Sequence, residues 1–177
     1  MFDLANFVSD CRSAVDRDST HKSVAEIMQK AFRDPSGITA ALGEPEESGI
    51  TPLYKSHDLT IVNVVWKPEM TVMPHNHEMW AVIGIYGGRE DNIFWRRVKD
   101  DPAGLIEAAG ARALSTGDVA PLGPDIIHSV TNPIPKLTGA IHVYGGDFFE
   151  TERSEWDPER LTEQALDIAR VKAMFAD

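Results

Sequence analysis

Leu59-Thr60-Ile61-Val62-Asn63-Val64-Val65-Trp66, followed after a short turn by Pro74-His75-Asn76-His77-Glu78-Met79-Trp80, is the stretch whose reading decides the fold. The first run is β-branched and apolar, so it reads as a strand with little helix propensity. Lys67-Pro68-Glu69 makes the turn. In an extended second run side chains alternate between faces, which sends His75 and His77 the same way and Asn76 the other. Two imidazoles projecting together from rigid backbone make half of a site for a borderline metal ion. A third candidate is His128, inside the apolar run Ile127-His128-Ser129-Val130. On the His-x-His pattern alone, two surface histidines on an edge strand fit equally well.

Downstream the strand signals continue. Ala81 to Tyr86 is a strand, Gly87-Gly88 turns the chain, and Asn92 to Val98 is another strand. Residues 103–113 are ambiguous between a helical turn and a strand edge. Gly117-Asp118 turns into Val119-Ala120-Pro121, and Ile126–Val130 and Leu137–Tyr144 close the series. Short strands with turns between them and no βαβ spacing predict a mainly β domain, a sandwich or barrel of the jelly-roll kind. Upstream, residues 3–43 read as helical. Leu4, Phe7, Val8 and Val15 lie at helical spacing, and Val24, Ile27, Met28 and Phe32 form the apolar face of a second helix capped by Asp18 or Ser19. Asp34-Pro35 starts a third, which Gly43 ends. At the far end Asp157-Pro158 is a cap and first turn, with Leu161, Ala165, Ile168 and Ala169 on one face of a helix over 157–175 that packs outside the barrel. The expected plan is one domain over 1–177, with a helical segment to 48, a barrel from 50 to 150 and the terminal helix.

Acids outnumber bases 28 to 17, a net charge of -11, which argues against nucleic acid and anionic membrane surfaces as partners. An anionic small substrate would therefore need a local cation. A single cysteine, Cys11, leaves no intramolecular disulfide and no cysteine-cluster metal site. Lying inside the first predicted helix, it reads as a buried structural thiol. No basic-then-apolar leader and no run of 18 apolar residues is visible, so the expected location is cytoplasmic; self-association into a homo-oligomer is compatible with all of this.

Pro74-His75-Asn76-His77, with Gly88, and the later Gly117, Pro124, His128 and Asn132 resemble the two half-motifs of the cupin superfamily. The acid that usually follows the paired histidines is missing, since Ala81 and Val82 stand there, and Glu78 would face away. The resemblance thus implies a cupin jelly-roll holding three histidines and no carboxylate. Among cupins that pattern resembles the thiol dioxygenases, which oxidise cysteine or 3-mercaptopropionate at Fe(II). Ile141-His142-Val143-Tyr144 and Arg153 match the Ser-x-His-x-Tyr element and following arginine of the bacterial 3-mercaptopropionate type, with Ala140 where the serine would be. Val82 stands where cysteine dioxygenases carry a cysteine that crosslinks to the tyrosine.

What the resemblance implies is an iron held by His75, His77 and His128, His142 and Tyr144 as catalytic groups, and Arg153 clamping the carboxylate of a small thiol that reacts with O2. Three neutral imidazoles leave Fe(II) its double charge, which favours a thiolate. Arg153 offers a carboxylate a forked pair of hydrogen bonds, and His142 would orient a Tyr144 phenol that donates toward substrate or oxygen. Simpler roles stay open: His142 as a satisfied barrel histidine, Tyr144 bonded to a backbone carbonyl, and Arg153 paired at the surface with Glu150, Glu155 or Asp157. So do two other functions, a Zn, Ni or Mn cupin acting as isomerase, lyase or hydrolase on a small acid, and a non-catalytic ligand-binding cupin.

Overall fold

A computed structural model describes residues 2–176; Met1 and Asp177, the ends of the predicted 1–177 domain, lie outside the described residues. Among these residues three helices lead, α1 (Leu4–Arg17), α2 (Lys22–Ala31) and α3 (Pro35–Leu42). Nine strands follow: β1 (Gly49–Lys55), β2 (Thr60–Trp66), β3 (Thr71–Asn76), β4 (Ala81–Gly87), β5 (Arg89–Arg97), β6 (Ile106–Ser115), β7 (Val119–Leu122), β8 (Ile127–Thr131) and β9 (Thr138–Tyr144). Two short strands, β10 (Ser154–Trp156) and β11 (Glu163–Ala165), precede a last helix, α4 (Ile168–Phe175). The strands form two antiparallel sheets, in the orders β1-β2-β9-β4-β7 and β11-β10-β3-β8-β5-β6. This is the mainly β jelly-roll with flanking helices that the strand pattern predicts.

The five-stranded sheet explains why its strands read as continuous apolar runs. Val62, Val64, Ala81, Ile83, Ile85 and Ala140 belong to the barrel-interior cluster. Their alternating neighbours Ile61, Val82, Ile141 and Val143 pack instead with Phe7, Cys11, Met28, Phe32 and Ile38 of the leading helices. Both faces of β2, β4 and β9 are therefore covered, the condition under which strands lose their polar alternation. The same period of two aims Ala140, His142 and Tyr144 into the barrel.

Asp3 and Asp34 cap α1 and α3 through the backbone N–H groups of Asn6 and Gly37, and Gly43 ends α3 at φ 90°. The expected cap of α2 is absent. Asp18 accepts from the backbone and hydroxyl of Thr20 in a local turn, and His21 occupies the cap position without a side-chain bond. Most of residues 103–113 resolve as β6, nine of whose ten residues pair along β5 around a bulge at Ala109.

The C-terminal segment differs most from expectation. Asp157 does accept from the N–H groups of Glu159 and Arg160, but the helix stops after one turn, where Leu161 takes φ 57°. The chain then returns as β11 against β10, with Glu163 N–H bonding Ala103 and Ile106 N–H bonding Leu161. Sheet pairing has overridden the helical spacing of 157–175. The remaining helix, α4, is capped by Asp167, and it lies against the barrel mouth rather than outside the wall. Phe175 stacks on Trp66 at 5.5 Å, and the Ser48 hydroxyl donates to its carbonyl at 2.7 Å. None of the helices is long and apolar enough to cross a membrane.

Cys11 is fully buried, and burial with the neighbouring Asp10 pushes its thiol up to about 12, in keeping with a structural role. Gly84 lies under the Phe32 ring, where a methyl group would come within 2.5 Å of ring carbon. Gly84→Ala should therefore destabilise the protein by about 1–3 kcal/mol, the usual cost of overpacking. A urea unfolding midpoint shifted down at constant slope would show it; an unchanged midpoint would mean that α2 does not press on the sheet.

Candidate metal centre

The ladder between β3 and β8 slips by one residue. Thr71 faces Thr131 and Val72 faces Val130, yet His75 faces His128. Met73 and Pro74 thus share the space opposite one residue, and Pro74 has no N–H to continue the ladder. The slip sets His75 directly across from His128, and His77 joins them two residues on. Ring centroids of the three lie 4.7, 4.9 and 5.1 Å apart, and one ligand nitrogen from each falls within 4.8 Å of the others. Asn76 points away, as alternation requires, and accepts from Ser154 N–H. Glu78 bonds the Asn76 amide and is no part of the cluster.

Hydrogen bonds fix which nitrogen is bare. His75 Nδ1 lies 2.9 Å from the Met73 carbonyl, which can only accept, so the proton is on Nδ1 and Nε2 keeps its lone pair. His128 Nδ1 lies 2.7 Å from Asn92 Oδ1. The Asn92 amide is oriented in turn, because its Nδ2 donates to the Glu90 carboxylate at 3.0 Å. His128 therefore also presents Nε2, 3.3 Å from Nε2 of His77. Two such nitrogens need a proton or a cation between their lone pairs. Burial pulls His75 down to about 4 and holds His77 and His128 well below their usual value. All three are neutral at pH 7, the form that binds metal. The donor set fits a divalent ion of the borderline series without naming which one.

A second polar group lies inside the barrel. His142 Nδ1 is 3.0 Å from the Tyr144 hydroxyl, and its Nε2 is 3.3 Å from Glu90 Oε2. Trp66 Nε1 donates to the same carboxylate oxygen at 2.7 Å. Burial pushes the Glu90 carboxyl up, but the bonds from His142, Asn92 and Trp66 outweigh it and hold the group below its usual range. In a neutral His142 ring, a carboxylate at Nε2 draws the proton there and leaves Nδ1 to accept from Tyr144. The Tyr144 hydroxyl, expected to donate toward a substrate, is hydrogen-bonded to His142. Burial raises the Tyr144 pKa, so the phenol keeps its proton. Tyr144 bonds a side chain, not a backbone carbonyl.

Arg153, just before β10, turns inward. Its guanidinium sits 4.0 Å over the Phe148 ring, which stacks on Tyr144 at 4.2 Å. Its Nε and Nη1 are buried and make no hydrogen bond, and no ion pair to it is found among the described residues. The surface pairings open to it are taken up otherwise: Glu155 holds Arg170, Glu150 holds Lys55, and Asp157 caps its own turn. Arg96 and Arg97 pair with Glu107 and Glu163, away from the cluster.

The three histidines, His142, Tyr144 and Arg153 line one cavity of about 50 Å³, closed by Trp66 and by Val171 and Phe175 of α4. Beyond it a vestibule of about 280 Å³ shares Phe148, Arg153, Val171 and Phe175. Glu90 and Asn92, buried on β5, were not among the candidate site residues: Arg89-Glu90-Asp91 looks like a solvated turn, and Asn92 reads only as the start of a strand. The available signal was period two: Glu90 and Asn92 alternate with the more exposed Arg89 and Asp91 and lead into Phe94.

No protein-family model matches the chain. Solved structures similar to it include a cupin with a double-stranded β-helix fold from Methanocaldococcus jannaschii, at 9% identity and TM-score 0.48, covering 61% of this chain and 88% of that one. A cupin superfamily protein from Desulfitobacterium hafniense matches at 16% identity and TM-score 0.45, over 59% of this chain and 84% of that one. A deletion mutant of oxalate decarboxylase from Bacillus subtilis matches at 17% identity and TM-score 0.44, over 61% of this chain but 28% of that much longer one.

If the cluster is a metal centre, protein loaded with Co(II) and desalted should retain one ion per chain, and His128→Ala should retain none while keeping its fold. Elemental analysis decides this, and metal retained by the variant would remove His128 from the ligand set.

Proposed function

We propose that the protein is an Fe(II)-dependent dioxygenase that converts a small mercapto-carboxylate to its sulfinate. The observation that carries this reading is the half-buried Arg153, whose Nε and Nη1 are buried without a hydrogen bond, in the same small cavity as three imidazoles. A buried cation without a counter-charge is costly, and a ligand carboxylate would offset it. The resemblance of His75, His77, His128, His142, Tyr144 and Arg153 to thiol dioxygenase residues points to the same chemistry.

In the overall reaction R–SH and O2 give R–SO2H; sulfur loses four electrons, dioxygen gains them, and both oxygen atoms end on sulfur. Iron held by His75, His77 and His128 would supply a cationic centre that favours the thiolate and brings O2 to it. The remaining work falls to the chain. Arg153 would hold the carboxylate through a charge-assisted hydrogen bond from a buried N–H, its guanidinium stacked over Phe148. Tyr144 and His142 form a hydrogen-bonded pair at the cavity wall, available to hold or pass one proton. Trp66, Val171 and Phe175 exclude water, and so strengthen each charge interaction inside. A cavity of about 50 Å³ beside the histidines suits a small thiol.

Oxygen consumption by anaerobically iron-loaded protein tests the reading against cysteine, 3-mercaptopropionate, mercaptosuccinate and cysteamine. Uptake is expected with carboxylate-bearing thiols. No uptake with any of them would favour another metal-dependent reaction or ligand binding alone. Arg153→Ala should lower kcat/KM for the carboxylate thiols about 10–100-fold, the worth of a charge-assisted pair, and leave cysteamine turnover, if present, nearly unchanged. Equal losses on both would remove the clamp.

A further inference from the structure

We propose that Glu90 is the positioning residue of this site, one buried carboxylate that sets the proton arrangement of a metal ligand on one side and of the outer histidine on the other. The inference rests on the reading of His75, His77 and His128 as metal ligands. Ala140 faces the barrel interior on β9 beside His142 and has no hydroxyl to offer it. The partner of His142 comes instead from the opposite sheet, as Glu90 on β5.

The geometry is a chain of five groups. Tyr144 donates to His142 Nδ1 at 3.0 Å, and His142 Nε2 donates to Glu90 Oε2 at 3.3 Å. On the other arm His128 Nδ1 donates to Asn92 Oδ1 at 2.7 Å, and Asn92 Nδ2 donates to Glu90 Oε1 at 3.0 Å. Trp66 Nε1 adds a third donor at 2.7 Å. Every proton on both arms points toward Glu90. A carboxylate is the side chain that accepts at both ends and donates at neither. Because it accepts from Asn92, Asn92 must turn its oxygen to His128, which puts the His128 proton on Nδ1 and bares Nε2 to the metal side. Because it accepts from His142, Nδ1 of His142 must accept from Tyr144.

An amide of the same shape cannot do both. In Glu90→Gln one end donates. If that end faces Asn92, the Asn92 amide inverts, its Nδ2 meets His128 Nδ1, and the His128 proton moves to Nε2, masking the ligand lone pair. If it faces Trp66 and His142, His142 inverts and the Trp66 N–H loses its acceptor. The first arrangement leaves no donor orphaned and is the one expected.

Ring protonation is readable without turnover, by long-range ¹H–¹⁵N correlation on histidine-labelled, metal-free protein. The wild type should carry the His128 proton on Nδ1 and the His142 proton on Nε2; the opposite placement at either ring overturns the proposal. Glu90→Gln should invert one of the two rings, His128 by preference, and bind Co(II) about 10–100-fold more weakly, the usual effect of losing a ligand's hydrogen-bonding partner. A folded Glu90→Gln with both rings unchanged and Co(II) affinity within about twofold would overturn it, being well short of that range. Should that variant not fold, Asn92→Ala cuts only the arm to His128. It should weaken Co(II) binding and leave His142 protonated on Nε2, and unchanged Co(II) affinity would overturn the proposal. Failure of the wild type to oxidise any thiol would sink the dioxygenase reading and leave these measurements standing.

Discussion

The one-residue slip between β3 and β8 is the constraint on which the rest of the site depends. Side chains on a strand change face at every residue, so a ladder without the slip would not set His75 squarely across from His128. Pro74 is what makes the slip natural, since it cannot donate to the ladder at the position where the bulge falls. The Met73 carbonyl freed there accepts the His75 ring proton. A backbone irregularity thus does two things, bringing one imidazole into register and choosing its tautomer.

The covering of the five-stranded sheet on both faces supplies the rigidity this needs. β2 and β9 carry Trp66, His142 and Tyr144 inward, and their alternate residues are pinned by α1, α2 and α3. Inward polar groups on such a strand cannot turn to water, so each must find a partner inside the barrel. His142, Glu90, Asn92 and His128 satisfy one another across the gap between the sheets. The leading helices contribute no residue to the cavity and still determine how firmly it is held.

How much of this was legible follows from the range of each interaction. The His75 and His77 pairing was readable because it depends on local alternation, and Gly43 and Asp34 act at their own helix ends. β1 was missed because Gly49–Lys55 contains a proline and a bulge and pairs only at the sheet edge. The helix over 157–175 was misread because the backbone of Ala103 and Ile106, some sixty residues earlier, captures that segment into a sheet. Glu90 was missed for a related reason: its partners, Trp66 and His142, belong to other strands, and only the barrel brings them together. Ala140 stands where the resembling family has a serine; in three dimensions His142 has its partner on the facing sheet, Glu90.

Charge bookkeeping then bears on what the cavity lacks. The chain carries a net charge of -11, yet the cavity's ionised acid, Glu90, is already surrounded by three donors. His75, His77 and His128 are neutral and the Tyr144 phenol is protonated. Arg153 is left as the uncompensated charge, stacked on Phe148 with two buried nitrogens facing no acceptor. A divalent cation at the three imidazoles would add to that positive potential rather than relieve it. In the proposed reading the ligand carries negative charge at two points, one for Arg153 and one for the metal side. A thiol that ionises when bound, carried on a short carboxylate, has that distribution of charge. With a metal bound as proposed, a neutral substrate, or one with a single charged end, would leave one of two cations without a partner.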